Sequence, residues 1–340
     1  MLKKLVFLLA ALAFSLVSVC FYIERVGDSP LQLDQGVSFE VTPGSTLTQV
    51  IAEMYEKGYL LQHPKLYASY AKLHKHEHIK AGEYQLDPGI NFSLLLKKLN
   101  SGEAILHEIR FIEGWDFRQV SAEIRSSERF RHSITDWGVD NLKTLLGIQY
   151  DSLEGLFFPD TYHFPKTASD VDILRYSYKK MQSVLDEEWQ QRGQDLPYDS
   201  PYEALIMASI VEKETGVAEE RAKIAGVFVR RLKKNMRLQT DPTVIYGLGD
   251  VYQGNLTRKH LKSPSPYNTY LIKGLPPTPI AMPGREAIRA ALHPEEGEAL
   301  YFVAMGDGRH YFSATVEEHN KAVRKYQVKN RRADYQSTVR

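Results

Sequence analysis

The most one-sided stretch of the chain is its beginning. Leu5 to Ile23 is an uninterrupted apolar or weakly polar run, preceded by Lys3 and Lys4 and followed by Glu24 and Arg25. At a rise of ~1.5 Å per residue such a run nearly spans a hydrocarbon core of ~30 Å. It predicts a single transmembrane helix over 5–23. The lysines favour a cytoplasmic tail over 1–4, with the chain beyond Glu24 outside the inner membrane. A cleaved signal peptide would have a shorter apolar core and a small-residue cleavage site. Residues 24–38, polar and containing Gly and Pro from Val26 onward, predict a juxtamembrane linker.

Beyond the linker the pattern alternates between short strands and amphipathic helices, and it repeats. Phe39–Met54 (FEVTPGSTLTQVIAEM) matches Glu108–Ile124 (EIRFIEGWDFRQVSAEI): Gly44 pairs with Gly114, Gln49 with Gln119, Val50 with Val120 and Glu53 with Glu123. A shorter copy runs from Tyr84 through Pro88-Gly89 to Leu99, with Phe92, Leu95, Leu96 and Leu99 on one helical face. Each copy reads as strand, glycine turn, helix, the glycine supplying a turn with φ > 0. The unit over 39–102, with two strands and two helices, resembles a LysM-type module, a family that binds N-acetylglucosamine polymers. A structural βα unit accounts for the same pattern.

The segment 153–165 (LEGLFFPDTYHFP) is aromatic and bounded by prolines, so it is no regular helix throughout. Ser169–Gln190 predicts a long helix with Ile173, Leu174, Tyr178, Met181, Val184, Leu185 and Trp189 as its apolar stripe. Ser200-Pro201-Tyr202-Glu203 then marks a helix start, with Ser at the N-cap, Pro at N1 and Glu at N3 of a capping box. Thr215-Gly216 marks its stop. Between them Ala204–Ala208, Ile210 and Val211 leave almost no polar face, which predicts a buried helix.

Buried helices seldom carry acids, yet Glu212 and Glu214 occupy the last turn of this one. The negative end of the helix dipole and apolar surroundings both disfavour a charged carboxylate, and so raise its pKa. A general acid working at neutral pH needs such a shift. The chemistry does not choose between Glu212 and Glu214, and last-turn acids neutralised by Lys213 and Lys223 would give the same pattern.

A helix over about 218–234 follows, acidic at its start and basic at its end, as its dipole favours. Two polar stretches come next, 238–247 (LQTDPTVIYG) and 263–284 (SPSPYNTYLIKGLPPTPIAMPG). The six prolines of the second exclude regular structure and predict an ordered wall of extended backbone. A helix at 285–292, a hairpin around Gly306-Asp307-Gly308 and a last helix opened by the capping box Thr315–Glu318 close the pattern.

Composition narrows the partners. With 43 basic and 42 acidic side chains the formal net charge is +1, which argues against nucleic acid, whose phosphates call for a clustered basic surface. A neutral glycan makes no such demand. The single cysteine, Cys20, excludes an intramolecular disulfide. It follows Val19, where a lipid-attachment signal requires a small residue, and is expected as an unmodified thiol of the apolar helix. No spacing of His, Cys or carboxylates suggests a metal site, and neither metal nor cofactor is expected.

The run 208–215 (ASIVEKET), followed by LQTDPTVIYG and SPYNTYLIKGLPPTPIAMPG, resembles the endolytic murein transglycosylase, or YceG-like, family. LEGLFFPDTY at 153–162 and the apolar helix before it agree with that family's order, so the resemblance covers nearly the whole chain. It implies an α+β protein: one N-terminal transmembrane helix, the LysM-like module over 39–102 and a mixed α+β catalytic domain over 103–340. It further implies an inner-membrane enzyme acting in the periplasm on nascent peptidoglycan strands, in company with peptidoglycan synthases. The family's catalytic glutamate falls on Glu212, with Glu214 as fallback, and Asp241, Tyr267, Asn268 and Thr269 follow as substrate-binding candidates. One acid then suffices. Two other functions are compatible with the residues: a hydrolytic muramidase using Asp241 or Asp160 as second carboxylate, and a membrane-tethered glycan-binding scaffold.

Overall fold

The computed structural model describes residues 2–329. The first residue of the expected cytoplasmic tail and the C-terminal limit of the 103–340 domain lie outside the described residues. The fold is mixed α+β, in two compact units. The first comprises 1–108 with 128–131 and 163–169, the second 109–127, 132–162 and 170–340.

The first unit begins with α1 (Leu2–Asp28). Its most apolar 18-residue window has a mean hydropathy of 2.5, and among the described residues it is the one helix long and apolar enough to cross a membrane. Leu5, Phe7, Leu8, Phe14 and Phe21 all project outward and exposed, as does Cys20. A single N-terminal apolar helix of this kind is compatible with a single-pass anchor. Its far end is not followed by a free linker. Val26 and Leu31 are buried in the unit's core, and a side-chain carbon at Gly27 would overlap the Tyr70 ring. Leu31 N–H donates to Ile90 O at 2.8 Å and Gln32 N–H to Tyr59 O at 3.0 Å. Val26 and Leu31, with Leu33 and Val37 partly buried against the same core, draw the stretch down.

After it come β1 (Val37–Val41), α2 (Leu47–Glu56), α3 (Pro64–Leu73), β2 (Gly82–Leu86) and α4 (Phe92–Ser101). β1 and β2 pair antiparallel with Phe39 opposite Tyr84, both fully buried. The unit therefore has three helices after α1 where the repeats announced two. The addition, α3, is capped by His63 with Pro64 in its first turn, and it buries Tyr67, Tyr70 and Ala71. Tyrosines among lysines and histidines disguise that stripe as a polar stretch.

All three repeat copies fold alike. Each strand leads through a left-handed glycine, Gly44 (φ 87°), Gly89 (φ 89°) or Gly114 (φ 79°), into a helix capped by Thr46, Asn91 or Asp116. Thr46 and Asp116 form full capping boxes with Gln49 and Gln119, which is why those glutamines recur. The third copy consists of β3 (Leu106–Arg110) and α5 (Phe117–Ser126). The division between the units runs through β3 rather than at residue 103.

The second unit continues with α6 (Val139–Leu146) and α7 (Asp170–Gln190), while β4 (Thr161–Pro165), which pairs with β3, is divided between the units as β3 is. Then come α8 (Pro201–Glu214), α9 (Ala218–Lys233), α10 (Asp241–Leu248) and α11 (Arg285–Leu292). The antiparallel hairpin of β5 (Tyr301–Ala304) and β6 (His310–Ser313) and the helix α12 (Val316–Val323) complete it. α8 is the core element. Every residue from Ala204 to Val211 is buried, and α7, α9, α10 and α11 pack around it. α10 departs from the loop expected at 238–247: Asp241-Pro242 forms the first turn of a helix, a place where proline's missing N–H costs nothing.

Candidate active site

The site is organised by the two ends of α8. At its start Ser200 Oγ accepts the Glu203 N–H at 3.3 Å, while the Glu203 carboxylate reaches beyond the cap to Asp199 N at 2.6 Å. The capping box is thus only half formed. At its finish Thr215 turns extended (φ −148°, ψ 137°). Gly216 is not left-handed, so the stop owes nothing to glycine's freedom.

Along one side of α8 runs the proline-rich wall, irregular throughout 263–284 as its composition requires. Buried Ser209 accepts the Ile280 N–H at 3.0 Å and donates to Ile206 O at 2.7 Å. Three residues later, Glu212 Oε2 accepts the Gly284 N–H at 3.0 Å. Met282 pairs both ways with the turn before α5: Gly114 N–H donates to Met282 O at 2.8 Å, and Met282 N–H to Trp115 O at 2.7 Å. Lys213 Nζ donates to Gly114 O at 3.1 Å. The wall and the 113–115 turn are therefore joined by main-chain bonds, and side chains of the last turn of α8 bind both.

Glu212 is half-buried in this arrangement. Burial pushes its pKa above the ordinary carboxyl value, and the Glu113 charge adds to the effect. The Gly284 N–H, Arg221 and Lys213 oppose it. Glu113 itself lies against the bare Cα of Gly284, where a side-chain carbon would overlap its carboxylate.

Glu214 belongs to a different cluster. Thr240 Oγ1 donates to its carboxylate. Burial pushes its pKa up to about 7, Asp241 raising it further and Thr240 and Arg231 opposing. Exposed Asp241 accepts the Tyr270 hydroxyl at 2.6 Å. The Arg231 guanidinium is bound to the carbonyls of Leu238, Leu300 and Arg237.

The other expected residues sort by burial. Asn268 is 1% exposed, and its amide donates to Ser263 O at 2.8 Å and Leu261 O at 3.2 Å while its oxygen accepts the Tyr270 N–H at 3.0 Å. Thr269, fully buried, accepts the Thr240 N–H and pairs with the Thr243 hydroxyl at 2.9 Å. Both side chains are taken up in tying the loop to itself and to α10, as buried polar groups must be. Half-buried Tyr267 bonds Thr278 at 2.8 Å and sets its ring edge-on to Tyr246. Asp160 is held by Lys180, in a cluster other than that of Glu212.

One further carboxyl carries no signal beyond being an acid within an apolar run. Glu154, 5% exposed, accepts the Phe117 N–H at 3.1 Å and the Tyr246 hydroxyl at 3.1 Å. Burial pushes its pKa up to about 7. Glu113 was equally silent in the sequence, a lone acid ahead of a turn glycine.

Fold and site together define a protein with one apolar N-terminal helix and, at the end of a buried helix, a carboxyl whose pKa burial raises. The chain belongs to the YceG-like family, whose model matches residues 39–325. It is 32% identical over 317 residues to the endolytic murein transglycosylase of Bacillus subtilis, covering 87% of each chain. It is 29% identical to the protein of the same name from Streptococcus pneumoniae, covering 89% of this chain and 61% of that one. The crystal structure of a yceG-like protein from Listeria monocytogenes superposes with a TM-score of 0.51 at 30% identity, over 84% of this chain and 99% of that one.

Proposed function

We propose that the protein is a membrane-anchored lytic transglycosylase of peptidoglycan, with Glu212 as its single acid/base. The observation that carries this is the environment of Glu212: a carboxyl at the end of a buried helix, held by one backbone N–H and made reluctant to ionise by burial and by Glu113. Relatives named endolytic murein transglycosylases support the substrate and reaction. Protonated Glu212 gives its proton to the glycosidic oxygen leaving C1 of N-acetylmuramic acid, and that C1–O bond breaks. The carboxylate left behind takes the proton from the same sugar's C6 hydroxyl, whose oxygen closes onto C1. The product is a 1,6-anhydro ring. No water is consumed, and the proton lost in the first step is recovered in the second.

Exposed Asp241 and half-buried Tyr267 remain the substrate-facing candidates, with Asn268 and Thr269 shaping the loop that presents them. The first unit, with β1, two helices and an antiparallel β2 in LysM-like order, is assigned to glycan binding, and α1 to a single inner-membrane pass with the rest periplasmic. Relative to the expected 39–102 and 103–340 domains, this division lets the first begin at the anchor, end within β3 and take in 128–131 and 163–169. Peptidoglycan synthases are the partners in keeping with cleavage of nascent strands.

Mass spectrometry of muropeptides released by the purified chain tests the assignment. Wild type should yield anhydro ends, and Glu212→Gln should release none while melting normally. Products heavier by one water would make the enzyme a muramidase. Loss of activity in Glu214→Gln but not in Glu212→Gln would move the acid by two residues.

A further inference from the structure

We propose that Glu113 is the second functional carboxylate of this site, a positioning residue that acts on the reaction through Glu212 across the bare face of Gly284. The inference rests on the transglycosylase function above and adds a residue to its machinery.

The geometry comes from three main-chain positions. Gly284 turns its N–H to the Glu212 carboxylate and its unsubstituted Cα to the Glu113 carboxylate, so one residue separates the two acids. Any side chain at 284 would occupy the place of the Glu113 carboxylate. Gly114, next to Glu113, is left-handed, and its missing side chain would sit 3.9 Å from Glu212 Cγ. The Met282 backbone clamps this turn on both sides and Lys213 binds its carbonyl. Glu113 is therefore carried on a turn bonded to the helix of Glu212. Its own carboxylate is exposed and has no hydrogen bond or ion pair among the described residues. An acid serving only to hold the fold would have a partner.

The remaining charges around Glu212 favour the opposite protonation state. Lys213 on its own helix and Arg221 on α9 stabilise a carboxylate, as does the Gly284 N–H. Arg285 and Arg289 on α11 are occupied by Glu187 and Glu188, and Glu220 on α9 by His310. Glu113 is the like charge facing Glu212. Two carboxylates in proximity cannot both ionise freely, so an ionised Glu113 keeps the proton on Glu212 until the glycosidic oxygen takes it. When Glu212 later draws a proton from the C6 hydroxyl, the same repulsion favours its return to the acid form.

The test is the pH profile of anhydromuropeptide release by the full-length chain in detergent. Activity falls as pH rises through the Glu212 pKa. In Glu113→Gln that descending limb should move to lower pH. The melting temperature should hold. Glu113→Asp, which keeps the charge on a shorter arm, should move it less, and it substitutes for the Gln variant should that fail to fold. Arg221→Gln should move the limb the other way. An unmoved limb in Glu113→Gln, or a loss of rate by the same factor at every pH, would overturn the proposal. Carbon-13 titration of labelled glutamate side chains reads Glu212 directly in wild type and Glu113→Gln. That shift can fail or succeed independently of which glycan product the enzyme makes.

Discussion

Buried carboxyls divide here into groups that use their raised pKa and groups that only bear it. Glu154 is the second kind. Its folded pKa of about 7 lies above the ordinary value of 4.5, so the folded state binds a proton that the unfolded chain releases between those limits. The sign follows from linkage: stability from this group is whole below pH 4.5 and declines until the pH has passed about 7. Glu154→Gln removes the titration while leaving an acceptor for Phe117 N–H or the Tyr246 hydroxyl. It should therefore stabilise the protein at pH 8 relative to its effect at pH 5, by up to about 3 kcal/mol. Melting curves at the two pH values check this, and a difference between variant and wild type that is the same at both would refute it. Asn268 behaves in the contrary way, since its amide bonds only its own loop. Asn268→Ala strands two carbonyls and an N–H, and should cost about 1–3 kcal/mol with stability and turnover falling together. A fall in turnover at unchanged melting temperature would return Asn268 to the substrate.

Between elements, the contact that shapes the cleft is α8 against the proline-rich wall. Ser209 is the one buried polar side chain of α8, and it holds the wall at Ile280. Ser209→Ala leaves that N–H unsatisfied at a cost of about 1–3 kcal/mol. Gly284, four residues along the wall, would lose part of its hold on Glu212, so turnover should fall further than melting temperature. Kinetics and calorimetry on one preparation compare the two losses, and undiminished turnover would mean that the wall is positioned from elsewhere. Most of this architecture was legible in the sequence, because it rests on local signals. α8 and α12 begin where their caps place them, and the repeated glycine turns reproduce one another. What escaped was α3, whose apolar face is made of tyrosines, α6, a short helix that buries only Leu142, and α10, whose Asp-Pro start reads equally as a turn. The site divided in the same manner. Glu212 ends a helix marked out by its cap and its apolar run, whereas Glu113 reaches it from nearly a hundred positions earlier through Gly284, and no local pattern encodes that meeting. The burial of Asn268 and Thr269 was hidden for the same reason: a loop residue's surroundings are set by distant chain.

At the scale of the whole molecule, the apolar helix sets where everything else operates. With Lys3 and Lys4 inside, protease added to spheroplasts should digest the chain beyond Glu24, and N-terminal sequencing should recover the uncleaved start. A mature protein beginning after Ile23 would contradict the anchor. The junction at Asp28 carries a mechanical consequence. α1 is unbroken from Leu2 to Asp28, Val26 is already core, and Gly27 is pinned beneath Tyr70. The anchor is thus a rigid post and not a tether, and the unit built on it has a set height and heading above the lipid. Four residues inserted between Ile23 and Val26 would lift that unit by ~6 Å and turn it by ~40°, whereas two would lift it by ~3 Å and turn it by ~200°. On the proposal that this unit binds glycan, so fixed a mount confines it to one layer of the cell wall, the layer that the length of a helix selects.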